Sequence, residues 1–72
     1  MTELKEREYA PHQQRVIDEK KELDEKAKRL SDFIGESPVF QNLDAEEQYR
    51  LKEQNLVMHQ YSAILARRIA AF

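Results

Sequence analysis

Residues 45–72 read AEEQYRLKEQNLVMHQYSAILARRIAAF, and Leu51, Met58, Leu65 and Phe72 fall in this stretch at intervals of seven. Seven residues are close to two α-helical turns, so these side chains form a stripe along one helix face. No Gly or Pro interrupts the segment. Asp44 precedes it, and Glu47 follows three residues later at the spacing of a capping box. Glu46 and Glu47 complement the positive end of the helix dipole, and Arg67 and Arg68 the negative end. The pattern predicts a helix over 45–72, about 42 Å long at 1.5 Å per residue.

The upstream half carries a matching stripe. Val16, Leu23 and Leu30 recur every seven residues, with Ala27 and Ile34 between them. Pro11 suits a first helical turn, where its missing N–H costs nothing, and Gly35 suits a left-handed residue just past a helix end. Helix one is therefore expected over 11–34, after a frayed segment 1–10. The connection 35–44 contains a second start signal, Ser37-Pro38. Its Val39, Phe40 and Leu43 suit one helical turn that plugs the closed end. Folding the chain about this connection sets Leu30 opposite Leu51, Leu23 opposite Met58, Val16 opposite Leu65 and Tyr9 near Phe72. Two stripes that fit one register define an all-α fold, an antiparallel helical hairpin forming a single domain over 11–72.

A hairpin of this size has a thin core. Chains this short bury only about 60% of the surface they expose on unfolding, and small folds are commonly stapled by disulfides, metals or association. The 72-residue chain has no cysteine, which excludes disulfides and thiolate zinc sites. Association into a helical bundle is the remaining staple. Helix two also has apolar side chains beyond its stripe: Val57 and Ile64, with Ile69 on the other flank, and Ile17 of helix one level with Ile64. These four are the expected homo-oligomer interface.

Charged residues make up 36% of the chain, yet the net charge is only −2. Interspersed signs do not suit a DNA or RNA binder that works by neutralising phosphates. No unbroken apolar run exceeds four residues, as in Ala63-Ile64-Leu65-Ala66, which is too short for a signal peptide or a membrane span, so a cytoplasmic location is expected. Glu22 and Lys26, Asp24 and Lys28, and Glu25 and Arg29 place acid four residues before base, as surface ion pairs on a solvated face do.

Catalytic chemistry finds little support. His12 is followed by Arg15 and Val16 at three and four residues, and His59 has Asn55 and Ala63 four residues to either side, so no metal and no cofactor is expected. There is neither a nucleophile elbow nor a phosphate-cradling glycine loop, and the carboxylates alternate with lysines on an open face. The chain reads as a non-enzyme.

A polar layer within the expected seam stands out: Gln13, Lys20, Gln54, Tyr61 and Arg68. Such residues serve either to specify register, with the Lys and Arg stems reaching to water, or to bind an anionic ligand between protomers. In the second case Lys20 and Arg68 hold phosphate oxygens, Tyr9 or Tyr61 stacks on a base, and His12 and Arg67 join at the open end.

The run Pro11-His12-Gln13-Gln14-Arg15-Val16-Ile17-Asp18-Glu19-Lys20, with Glu22-Leu23-Asp24-Glu25-Lys26, Leu30 and Phe33-Ile34, resembles a family of short helical proteins of tailed phages and prophages, including crAss-like phages. Leu51, Lys52, Gln54, Met58, Tyr61, Ile64-Leu65, Arg68 and Ile69 extend the likeness through helix two. The chain is more loosely similar to the helical-hairpin proteins with which phages sequester cyclic nucleotide signals of CBASS and Thoeris immunity. Those use a tyrosine ahead of the first helix and a basic residue along it, to which Tyr9 and Lys20 would correspond. The resemblance implies a phage accessory protein acting inside an infected or lysogenic bacterium, with counter-defence by nucleotide binding as its function. The alternative is a module whose apolar helical face blocks or recruits a host or phage protein.

Overall fold

The computed structural model describes residues 8–72, and these residues form three helices: α1 (Pro11–Glu36), α2 (Pro38–Gln41) and α3 (Ala45–Ala70). α1 and α3 pack antiparallel as a hairpin, and α2 closes the turn between them. Most of the expected frayed segment lies outside the described residues. Ala10, in extended conformation, leads into α1, and its N–H donates to the Gln13 Oε1 at 2.9 Å. Gln13 is thus a capping residue rather than a member of a polar seam.

The outermost pair of the register that the two stripes define is in contact, and both stripes contribute to the core. Val16 and Leu65 are buried, Leu65 completely, and the Tyr9 and Phe72 rings meet edge to face at 6.1 Å. Ala27 is buried as well, which allows the helix backbones to approach closely. A second row lies beside this one. Ser31 Oγ donates to Asn55 Oδ1 at 2.9 Å, and Ser62 Oγ donates to Asp24 Oδ1. Ile17 and Ile69, both half-buried, continue the row one heptad further towards the open end. The seam of α3 therefore runs along Leu51, Asn55, Met58, Ser62, Leu65 and Ile69. Gln54, Tyr61 and Arg68 are exposed and sit outside the seam that sequence periodicity assigned them to.

The closed end is tightly specified. α1 continues through Gly35 to Glu36, and Gly35 does not have a positive φ. The reason is Ser37, which ends α1 through its N–H to Phe33 O at 3.1 Å and starts α2 by accepting from Val39 N at 3.1 Å. With one residue capping both helices, no left-handed glycine is needed. Phe40 is buried and packs edge to face on Phe33 at 5.9 Å, with Lys52 Nζ 5.9 Å from its centroid. Val39, expected to share the plug, is 60% exposed. The Gln48 amide ties the turn down by donating to the carbonyls of Phe40 and Leu43, each at 3.0 Å, and of Gln41 at 3.3 Å.

α3 begins as its capping signal predicts, with Asp44 Oδ1 accepting from Glu47 N at 2.8 Å. Glu47 does not complete the reciprocal half of the box; its carboxylate pairs with Arg50 at 2.8 Å instead. α3 ends at Ala70, two residues short of the expected limit.

Two substitutions test this account. A Cβ on Gly35 would meet nothing within 4 Å, so Gly35→Ala should stabilise by about 0.5–1 kcal/mol through helix propensity; a left-handed glycine would give the opposite sign in a urea melt. Leu65→Ala should cost about 2–5 kcal/mol, with a non-additive cycle against Val16→Ala, because both side chains would be removed from one packed layer.

Candidate functional site

The two flanks of the hairpin differ in character. One carries Asp24, Ser31, Asn55 and Ser62, tied across the helices by their hydrogen bonds. Lys20 lies on this side, about 27% exposed, with its Nζ 2.6 Å from Asp24 Oδ2. Asp24 therefore joins Lys20 on its own helix to Ser62 on the other. Turned towards the seam, it meets Lys20 rather than Lys28, which faces solvent and pairs with Asp32 at 2.9 Å. The acid-before-base pairs expected on α1 do not form: among the described residues, the ion pairs are Lys20 with Asp24, Lys28 with Asp32 and Arg50 with Glu47.

The Asp24 carboxyl is held below the usual carboxylate range. The main cause is the hydrogen bond from Lys20, followed by that from Ser62; the Lys20 and His59 charges add to the effect, and partial desolvation opposes it.

The other flank and the open end are arranged differently. Each residue advances a helix by about 100°, which places His12 and Arg15 of α1 and Arg68 of α3 on the flank away from Asp24. They are also close in level, because His12 lies opposite the turn holding Arg68 and Ile69. Arg67 projects from the outer face of α3. All four basic side chains are exposed, and none is ion-paired with a described acid. Beside them stands the Tyr9–Phe72 aromatic pair. The open end thus combines unpaired cations with an aromatic edge, the elements from which phosphate and base recognition are built.

The sequence-predicted site residues are only partly brought together. Tyr9, His12, Arg67 and Arg68 gather at the open end. Tyr61 lies two helical turns from Arg68 along α3 and is 41% exposed. Lys20 is separated from them on the other flank. Arg15 was not singled out from the sequence, because its place beside Arg68 depends on the register and on the face α1 presents. The expected interface also divides: Val57 and Ile64 are exposed on the flank of Arg68, whereas Ile17 and Ile69 lie half-buried in the Asp24 row. On the outer face of α1, Asp18, Lys21, Glu22 and Glu25 line a shallow, solvated depression. No described helix is long and apolar enough to cross a membrane.

Fold and site together define a small helical-hairpin protein with a basic, aromatic open end and an apolar outer flank. The Sequestin family model matches residues 10–71, nearly the whole of the described hairpin, and the chain belongs to the Sequestin family. No curated protein and no solved structure matches it.

The Asp24 bridge gives a pH signature. A carboxyl whose pKa is lowered on folding contributes stability above its unfolded pKa of about 3.9, and that contribution disappears as pH falls through the folded value. Asp24→Asn should therefore be less stable than the parent at neutral pH, by no more than about 1 kcal/mol for a bridge so open to water. The two should converge below about pH 4. Urea titrations at pH 7 and pH 3 read both limbs.

Proposed function

We propose that this chain is a non-catalytic phage accessory protein that sequesters an anionic nucleotide signal, a cyclic nucleotide of bacterial immunity in particular. It would act as a homo-oligomer in the cytoplasm of an infected or lysogenic host. The observation that carries this reading is the uncommitted positive charge at the open end. His12, Arg15, Arg67 and Arg68 have no acid partner among the described residues; Lys21, Lys26 and Arg29 have none either, but those lie on α1 alone, whereas the open end gathers basic side chains of both helices. Clustered cations without counter-charges repel one another, and a bound phosphate relieves that repulsion. Arginine is suited to the task because its planar guanidinium meets phosphate oxygens in pairs. The aromatic edge of Tyr9 and Phe72 supplies a surface for a base. The family name, Sequestin, agrees with a protein whose role is to hold something rather than transform it.

Binding rather than catalysis also suits the inventory of side chains. Among the described residues, no nucleophile is paired with a base at the open end. Lys20 has a structural task in this reading, bridging to Asp24, and the ligand is held one to two turns further towards the open end.

Calorimetry and thermal melts against a panel of cyclic and linear nucleotides test the proposal. A ligand that binds only the folded state, present at a hundred times its dissociation constant, adds about 2.7 kcal/mol. Arg15→Met and Arg67→Met should each remove that shift while leaving the unliganded melt within about 0.5 kcal/mol, as surface substitutions do. Lys28→Met, which removes the same charge far from the open end, should keep it. If no nucleotide moves the melting curve, the sequestering role passes to a protein partner, for which Val57 and Ile64, 58% and 45% exposed, are the available apolar anchors.

A further inference from the structure

The outer flank of α3 has a pattern that the hairpin does not use. Glu53, Val57, Tyr61, Ile64 and Arg68 follow one another at spacings of four, four, three and four, so they lie along one stripe of a straight helix, well away from the seam. Val57, Tyr61 and Ile64 are all exposed although they are the largest apolar side chains on that stripe. Its two ends carry opposite charge, Glu53 towards the N-terminus of α3 and Arg68 towards the C-terminus.

A stripe with an apolar centre and opposite charges at its ends is complementary to itself when reversed. We infer that two copies of the chain associate through α3 in antiparallel fashion, about a twofold axis that passes between Gln60 and Tyr61. In this register Val57 opposes the second copy's Ile64, Ile64 opposes its Val57, and each Glu53 opposes an Arg68. Every contact then occurs twice, as a closed twofold interface requires. The antiparallel direction is the favoured one because it also sets the two helix dipoles head to tail. A parallel pairing would place Glu53 against Glu53 and Arg68 against Arg68, and like charges facing each other oppose association.

This inference builds on the proposal that the chain self-associates, and it narrows the ligand reading. Arg68 belongs to the contact between copies, so the anion is left to His12, Arg15 and Arg67. The antiparallel register also sets the second copy's Gln54 level with Arg67, so each open end lies beside the other copy's α3.

A charge exchange tests the register. Light scattering and sedimentation of the full chain should show a concentration-dependent dimer. Ile64→Glu should reduce it to monomer while circular dichroism retains the helical signal, because Ile64 lies outside the hairpin seam. Glu53→Arg and Arg68→Glu should each weaken dimerisation at least tenfold, and the double variant carrying both should restore it, since each new Arg would face a new Glu. Restoration supports the antiparallel α3 pairing; a double variant as weak as the single ones overturns it, as does a wild-type chain that stays monomeric at hundreds of micromolar. Nucleotide melts on the same samples separate the two readings. A monomeric chain that still gains stability with a nucleotide removes the dimer and keeps the ligand site, whereas a dimer that responds to none removes the ligand site and keeps the dimer.

Discussion

Leu65 is completely buried, and the hairpin is organised around it. Val16, buried as well, lies on the facing stripe of α1, and the cross-helix pairs all depend on one axial position of α3 against α1. Tyr9 reaches Phe72 at one end, and Ser31 reaches Asn55 towards the other. A two-helix fold has no third layer to correct a slip. Moving α3 by one turn would take Leu65 out of its layer and break Ser31–Asn55 and Asp24–Ser62 together. Apolar packing provides the driving force, and the polar row beside it supplies discrimination between neighbouring registers, a role in which hydrogen bonds are effective because an unsatisfied partner is costly.

That division of labour bears on where function can reside. The Asp24 flank is committed to holding the helices together, so its Lys20 is not available to a ligand without breaking a bridge. The opposite flank is committed to nothing inside the chain. It carries Val57 and Ile64 in its middle and Arg68, with His12 and Arg15 across from it, at the open end. One molecule thus presents a side tied by cross-helix hydrogen bonds and a side whose apolar and basic groups take no part in them, separated by the plane of the two helices.

Much of this was legible in the sequence, and the remainder was hidden for identifiable reasons. The stripe of α1 and the apolar row of α3 are strong periodic signals, and Asp44, Ser37 and Pro38 announce helix starts through their backbone chemistry. The second row is built of Ser31, Asn55 and Ser62, whose small size and hydrogen bonds fit them to a seam but whose polarity hides them from any search for apolar spacing. Tyr61 drew the expected seam to the wrong side of α3 because a ring is apolar enough to mimic a core position. Gly35 suggested a helix end because sequence does not reveal that Ser37 caps two helices at once. At the open end, the residue types of Tyr9, His12, Arg67 and Arg68 were apparent, but Arg15 gained its place only when the register fixed which face of α1 meets Arg68.

The double role of Ser37 has a mechanical consequence. With a single residue joining α1 to α2, and with Phe40 wedged on Phe33 under the Gln48 amide, the closed end behaves as a stiff pivot. At the far end, beyond the layer of Val16, Ile17, Leu65 and Ile69, the arms finish at the Tyr9–Phe72 ring pair. A pair of rods fastened at one end is least constrained at the other, so angular freedom about the closed end is greatest near Tyr9 and Phe72. The hairpin is in effect a pair of tongs, and whatever closes its tips also restrains the amplitude of the whole.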